Sequence, residues 1–431
     1  MGATSLQIKT LARRTRNEEW PWVRTFRRLR LRTSVATLAL LPAVLALAAV
    51  PCRAADPPAV PVEGEPFPAS LVSLDADWRL SFACPGGGGA LESKRTIAAA
   101  DLACWGACRE PARGPLVLLA DGGVLAADVA AADKERLTAE SDLLGTLKLP
   151  LEVLAGVLLR LPADRAQRDL LVERVTRATG ESDRVLLDNG DEVTGLIEAI
   201  GDGKTRIRAD AGPLDVPLRQ SVALVLNPGL RQKPAANPRT AWIGLSDGSR
   251  LLVTRLVSEG PRLALTTAAG PTCKVELKDV VFLLPLGGRA VYLSDLKPAE
   301  YRQQPYLDLP WPYHADRNVT GGLLRCGGRL WLKGLGVHSA ATLAYTLDGS
   351  YRRFQAELGI DDSTGGRGSV VFRVLVGGQS KYSSGPIRGG TPPAPVSIDL
   401  AGAKRLELVV DYGEQADVLD HADWLGARLV K

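Results

Sequence analysis

The stretch Phe354-Gln355-Ala356-Glu357-Leu358, with its continuation Ser369-Val370-Val371-Phe372-Arg373-Val374, decides how this chain must be read. Apolar and polar residues alternate with period two, the pattern of a strand that buries one face and wets the other. Two further runs repeat it. Val396, Ile398 and Leu400 alternate with Ser397 and Asp399, and Leu406, Leu408 and Val410 flank Glu407. Turn-forming pairs stand beside the runs at Asp348-Gly349, Gly377-Gly378 and Ala401-Gly402. Antiparallel strands with one apolar face must stack in two layers, so residues 291–431 read as a β-sandwich.

Upstream, short apolar runs are punctuated by Asp-Gly and Asn-Gly from Leu71 onward, which again describes strands joined by tight turns. Val185-Leu186-Leu187-Asp188-Asn189-Gly190 leads through Val216-Pro217-Leu218 to Val222–Leu226, and Trp242-Ile243-Gly244-Leu245-Ser246-Asp247-Gly248 leads through Val275-Glu276-Leu277 to Val280–Leu284. A poorer copy runs from Leu116-Val117-Leu118-Leu119-Ala120-Asp121-Gly122 to Leu159. Each reads as strand, hairpin, strand, strand pair and closing strand, a plan that suits small SH3-like or Sm-like β-barrels packed on one another. The chain is therefore expected to be all-β. Its segments are a first β-rich region at 68–180, a second small barrel at 181–230, a third at 238–288, and the sandwich at 291–431. Within the first, Ala166, Leu170, Leu171 and Val175 stand near helical spacing and predict a short helix near 164–178. Residues 55–67, rich in proline, read as an extended linker. Gly287-Gly288 reads as a second linker, so a truncation near 290 is expected to leave a folded N-terminal part.

The overall charge of +5 is concentrated at the start: residues 1–53 carry ten Lys/Arg against Glu18 and Glu19, a net +8 that leaves the rest at −3. A near-neutral folded part argues against a nucleic-acid partner. The basic run precedes the apolar run Val35–Val50 and the small residues around Ala54, so residues 1–54 read as a signal peptide, with an uncleaved anchor as the competing reading. This places the protein outside the cytoplasm, secreted or in the periplasm or cell envelope, with no membrane span after cleavage. Cys84, Cys104, Cys108, Cys273 and Cys326 follow the leader, an odd set in which Cys104 and Cys108 are close enough in sequence to close a small loop.

Five ordered words in the last third resemble the NPCBM family of carbohydrate-binding modules, found with glycoside hydrolase family 98 enzymes. They are Val291-Tyr292-Leu293-Ser294-Asp295-Leu296, Gly334-Leu335-Gly336-Val337-His338-Ser339, Gly359-Ile360-Asp361-Asp362, Ser369–Val374 and Asp420-His421-Ala422-Asp423-Trp424. The resemblance implies a galactose-binding-like β-sandwich of jelly-roll type and a glycan ligand. Sugars are held by an aromatic face against their C–H side and by planar polar groups on their hydroxyls. The candidate ligand-binding residues are accordingly Trp311, His314, His338, Asp361, Asp362, Tyr382, His421 and Asp423.

Most of these have a structural alternative. Trp311 and His314, in a loop-like stretch, could fill a corner of the sandwich. His338 could be a buried histidine bonded to Asp423 or Asp362. The acidic pairs could cap turns, bind hydroxyls or hold a structural calcium. Tyr382 reads as a loop contact past Gly377-Gly378. No cofactor is expected. The three histidines are 24 and 83 residues apart, which fits no compact zinc motif, and no nucleophile elbow or P-loop occurs, so the protein is read as non-catalytic. A structural or interaction protein of the envelope, with partners held by the barrels, and an accessory part of a glycoside hydrolase are the alternatives.

Overall fold

A computed structural model describes residues 56–85, 93–232, 237, 239–306 and 309–431. The leader read at 1–54 lies outside the described residues. Among those described, the chain is all-β apart from one α-helix and several single 3-10 turns.

The barrel plan holds, and it occurs four times among the described residues. In the unit at 183–225 the opening strand Asp183–Leu187 pairs with Glu192–Gly201, which continues through Lys204–Ala209 and Gly212–Pro217; a 3-10 turn at Leu218–Gln220 then aims Ser221–Val225 back onto the opening strand. The unit at 240–286 repeats this with Thr240–Leu245, Arg250–Glu259, Arg262–Thr267, Thr272–Glu276, the turn Leu277–Asp279 and Val280–Leu286. The unit at 116–158 does the same, its second strand broken into Val124–Ala126 and Asp128–Ala132.

The fourth copy is the one the sequence conceals. Pro58–Pro61 pairs with Phe67–Pro68 and with the closing strand Leu102–Gly106, while Ser70–Leu74, Arg79–Cys84 and Ser93–Ala98 complete the circuit. The proline-rich stretch is thus the opening strand of a barrel and not a linker: Ala59 and Val62 are buried. Proline suits extended backbone and loses only an N–H, so a short two-sided pairing survives it.

The units join in pairs through their closing strands. Leu154–Leu158 pairs with Ser221–Val225, and Leu102–Gly106 with Val280–Leu286. One apolar core, including Phe82, Leu137, Val185, Leu224, Ile243 and Leu265, runs through all four, which solves the problem that each is too small to sustain its own. Helix α1 (Arg165–Thr176) links the middle two, capped by the Asp164 carboxylate, which accepts from Gln167 N at 2.9 Å. Val175 of its apolar face is buried as the spacing implies, but Leu170 is 63% exposed while Asp169 is buried. The reason for that inversion lies in the sandwich.

The C-terminal sheets are as the alternation predicts. One contains His314–Ala315, Gly334–Val337, Ala422–Val430, Arg353–Ile360 and Ala394–Asp399 in that order, with Ala290–Tyr292 also along Ala422–Val430. The other is Glu300–Gln303, Ala341–Thr346, Arg405–Tyr412, Ser369–Val376 and Gln379–Arg388. Between them Trp424 is fully buried, edge-on to Phe372 with ring centroids 4.9 Å apart, and Phe354, Leu358 and Leu408 close the layer. Trp424 is therefore core.

Barrels and sandwich share buried surface, contrary to the expectation of a loose joint at Gly287-Gly288. A Cβ on Gly288 would stand 2.8 Å from the Ala100 carbonyl oxygen, and Arg289 N donates to that same oxygen at 3.0 Å. Tyr292 Oη donates to the Ala103 carbonyl at 3.0 Å inside a shared apolar cluster of Cys108, Phe282, Leu284 and Leu330. Arg325, in the hairpin strand Leu324–Cys326 beside the sandwich, reaches across to the Asp169 that α1 buries. A chain cut at 288 should consequently yield two poorly soluble halves, whereas co-expressed halves should associate. Monodisperse, independently folded halves by size exclusion and circular dichroism would contradict the shared core. All five described cysteines are free thiols, so Cys104 and Cys108 do not close a loop.

Candidate functional site

Three loops meet at one end of the sandwich. They are residues 309–313 ahead of His314, the turn His338–Ala340, and the long connection from Gly413 to His421. Ala340, Gln415, Ala416 and Leu419 have left-handed backbone (φ of 54°, 69°, 56° and 57°), and none is glycine. Such conformations are costly for side-chain-bearing residues and persist where surrounding structure imposes them, a recurring property of binding sites.

Trp311, His338 and His421 converge here. The Trp311 indole stacks on the His338 imidazole with centroids 4.7 Å apart and planes 8° from parallel; His421 is 6.0 Å from each ring. Trp311 is fixed by its backbone: its N donates to Gln303 Oε1 at 3.1 Å and its carbonyl accepts from Tyr301 Oη at 2.5 Å. Burial drives the His338 pKa down to about 4 and lowers that of His421, so both are neutral rings at pH 7. His338 Nδ1 lies 3.4 Å from Ser339 Oγ and makes no bond to Asp423 or Asp362. Beside the rings, His421 Nδ1 and Asp420 Oδ2 are buried without a partner among the described residues. Orphaned polar atoms next to an aromatic face are what a polyhydroxylated ligand satisfies.

The acidic candidates sit beneath. Asp361 caps a 3-10 turn, accepting from Ser363 N at 3.0 Å, and also accepts from Asn318 Nδ2 and Arg325 N, each at 3.0 Å. Asp362 accepts from Gly327 N and Gly328 N at 3.1 and 2.9 Å, holding the Cys326–Arg329 turn. Turn-capping accounts for both. Asp423 is fully buried; burial, with the Asp361 charge adding, raises its pKa well above the ordinary carboxylate range. Burial thus favours the uncharged form of its carboxyl, and neither of its oxygens has a hydrogen-bond partner among the described residues. Among the described residues no group of three acidic, histidine or cysteine side chains is placed to hold a metal, and the oxygens that calcium would need on Asp361 and Asp362 are occupied by N–H donors.

Two candidates lie elsewhere. His314 is on a strand opposite Gly336, and the charges acting on it are Arg177 and Glu173 of the α1 side and Arg317 of the sandwich itself. Tyr382 is not in a loop: it lies within the edge strand Gln379–Arg388 and packs on the sandwich core. The sequence reading missed Gln303, Ser339 and Asp420; of these, Gln303 stands in no recognisable word.

The buried Asp423 carboxyl has a measurable consequence. The folded state retains a proton that the unfolded chain releases above its ordinary pKa of about 4. Stability from this group is therefore full below that pH and is lost as pH rises toward the raised folded value. Asp423→Asn, which keeps the shape and cannot ionise, should flatten the decline in urea midpoint as pH rises above about 4 relative to the wild type. Parallel declines in the two proteins would refute the raised Asp423 pKa.

An antiparallel sandwich with an aromatic, polar loop end defines a class of ligand-binding module. Residues 289–430 match the family model of the NPCBM/NEW2 domain, as the five sequence words implied. A Renibacterium salmoninarum protein named for endo-alpha-N-acetylgalactosaminidase activity is 34% identical over 110 residues, 26% of this chain and 7% of that protein. The alpha-1,3-galactosidase B of Akkermansia muciniphila is 33% identical over 114 residues, 26% of this chain and 14% of that one. The chain thus spans a small fraction of those relatives. Among solved structures, the CBM51 module of a Clostridium perfringens GH95 protein in complex with methyl-galactose is 26% identical with a TM-score of 0.30, covering 33% of this chain and 99% of that one.

Proposed function

We propose that this is a non-catalytic glycan-binding protein, secreted or held in the periplasm or envelope, that grips sugar at the loop end of its C-terminal sandwich. The observation that carries the reading is the Trp311–His338–His421 cluster with the unpartnered Asp420 and His421 atoms beside it. A pyranose laid against the indole would exchange its C–H face for water, while its hydroxyls would reach the neutral imidazole and the carboxylate. The family match and the relatives named for galactoside and N-acetylgalactosaminide chemistry support galacto-configured sugars as the ligand class. The leader reading supports the location, and the four barrels would serve as a rigid mount.

Titration calorimetry of the full chain with methyl-galactoside, N-acetylgalactosamine and methyl-glucoside tests this. Saturable heats with the first two and weaker ones with the third are expected. Absence of binding across all three and across a glycan array would overturn it, and release of free sugar from galactoside oligomers would overturn the non-catalytic part.

A further inference from the structure

Away from the loop end, a cavity of about 360 Å³ opens where two barrel units, α1 and the sandwich meet. Part of its wall is apolar, from Leu118, Leu119, Ala155 and Val172, and three arginines line the rest: Arg231, Arg250 and Arg317. Each comes from a different part of the chain. Arg250 opens the second strand of the last barrel and pairs with Val124 of another barrel; Arg231 lies just beyond the third; Arg317 belongs to the sandwich.

None of the three forms an ion pair with a carboxylate among the described residues. Arg250 is only 7% exposed and its side chain makes no hydrogen bond there, and the half-buried Arg317 likewise makes none. Arg231 donates to the carbonyls of Thr176, Ala155 and Val175 at 2.7, 2.9 and 3.0 Å, but its Nε is buried without a partner. The carboxylates whose charge reaches this place are already committed: Glu110 and Asp169 to Arg325, and Glu173 to Arg177 at 2.7 Å. Arg250 also repels Arg317.

A guanidinium does not shed its proton, so Arg250, buried and without an ion pair among the described residues, holds its charge in a weakly polar surrounding that distant carboxylates offset only in part. Proteins tolerate that where an anion completes the site, and the planar fork of arginine matches the paired oxygens of carboxylate, sulfate and phosphate groups. The volume exceeds what a bare oxyanion fills and suits one carried on a sugar-sized body against the apolar wall.

We propose that this cavity is a second ligand site, which binds an oxyanion group borne by a sugar-sized molecule through Arg250 and Arg317, with Arg231 supplying a further cation. The site would distinguish acidic from neutral glycans independently of the loop end. It would also tie barrels and sandwich together when filled.

Calorimetric titration of the full chain with glucuronic acid, galactose 6-sulfate and glucose 6-phosphate, in chloride of matched ionic strength and with glucose as the neutral control, tests the site. Saturable binding of at least one acidic sugar and none of glucose is expected, and the preferred oxyanion identifies which group is read. Arg250→Gln and Arg317→Gln should each weaken that binding at least about tenfold. Both variants should retain the wild-type response to methyl-galactoside at the loop end, which reports an intact fold and separates this site from the other. If galactoside binding fails in all three proteins but acidic sugars still discriminate wild type from variants, this inference stands without the loop-end reading. No saturable acidic-sugar binding, or binding unchanged in both variants, would overturn it.

Discussion

Arg325→Met should destabilise the protein by about 3–5 kcal/mol, because it strands two buried carboxylates at the joint between barrels and sandwich. The guanidinium donates to Glu110 Oε1 and Oε2 at 2.8 Å each, and to Asp169 Oδ2 and Oδ1 at 2.6 and 2.9 Å. All three side chains are at most 19% exposed. Burial alone would raise the pKa of Asp169 and Glu110, but the Arg325 hydrogen bonds and charge hold both below the usual carboxylate range. Removing the cation removes that compensation and leaves either unpaired anions or two protons to be bound. Arg325→Lys should recover little, since a point charge cannot make two bidentate pairs. Urea denaturation checks this. A loss under about 1 kcal/mol would show the pairs to be solvated and the barrel–sandwich joint to lie elsewhere.

Trp311→Ala is expected to reduce sugar affinity at least about tenfold while costing the fold only about 1–2 kcal/mol. The indole is half-buried and stands on a loop, its backbone fixed by Gln303 and Tyr301 whatever the side chain. Its removal uncovers His338 without opening the layer around Trp424, Phe354 and Phe372. Trp311→Phe should keep part of the affinity. Calorimetry with methyl-galactoside, alongside thermal unfolding, separates the two effects: wild-type affinity in the alanine variant would remove the indole from the site, and collapse of the fold would make it core.

How much of this can be read from the chain depends on how local each signal is. Period-two runs such as Phe354–Leu358 and turn pairs such as Asn189-Gly190 and Asp247-Gly248 encode their strands within a few residues, so the sandwich and three barrels are legible. The first barrel is not. Pro58 and Pro61 look like a linker until Leu102–Gly106, far along the chain, supplies the partner strand.

The site divides in the same way. Trp311, His338 and His421 can each be nominated by residue type, but their meeting depends on three loops that lie far apart in the sequence. His314, close behind Trp311, belongs to a different neighbourhood because the chain enters a strand between them. The left-handed residues at Ala340, Gln415, Ala416 and Leu419 give no compositional sign, since none is glycine or asparagine. Likewise the helical spacing of Ala166, Leu170, Leu171 and Val175 leaves Asp169 on the wet face of α1, because its partner Arg325 lies 156 residues away.

The central claim is that the loop end of the sandwich holds a sugar. A crystal structure of the full chain soaked with methyl-galactoside tests it most directly. The pyranose should lie with its ring in van der Waals contact with Trp311 and a hydroxyl within hydrogen-bonding distance of His421 Nδ1 or Asp420 Oδ2. An empty loop end at saturating sugar, or a pyranose bound only on another surface, would contradict the account.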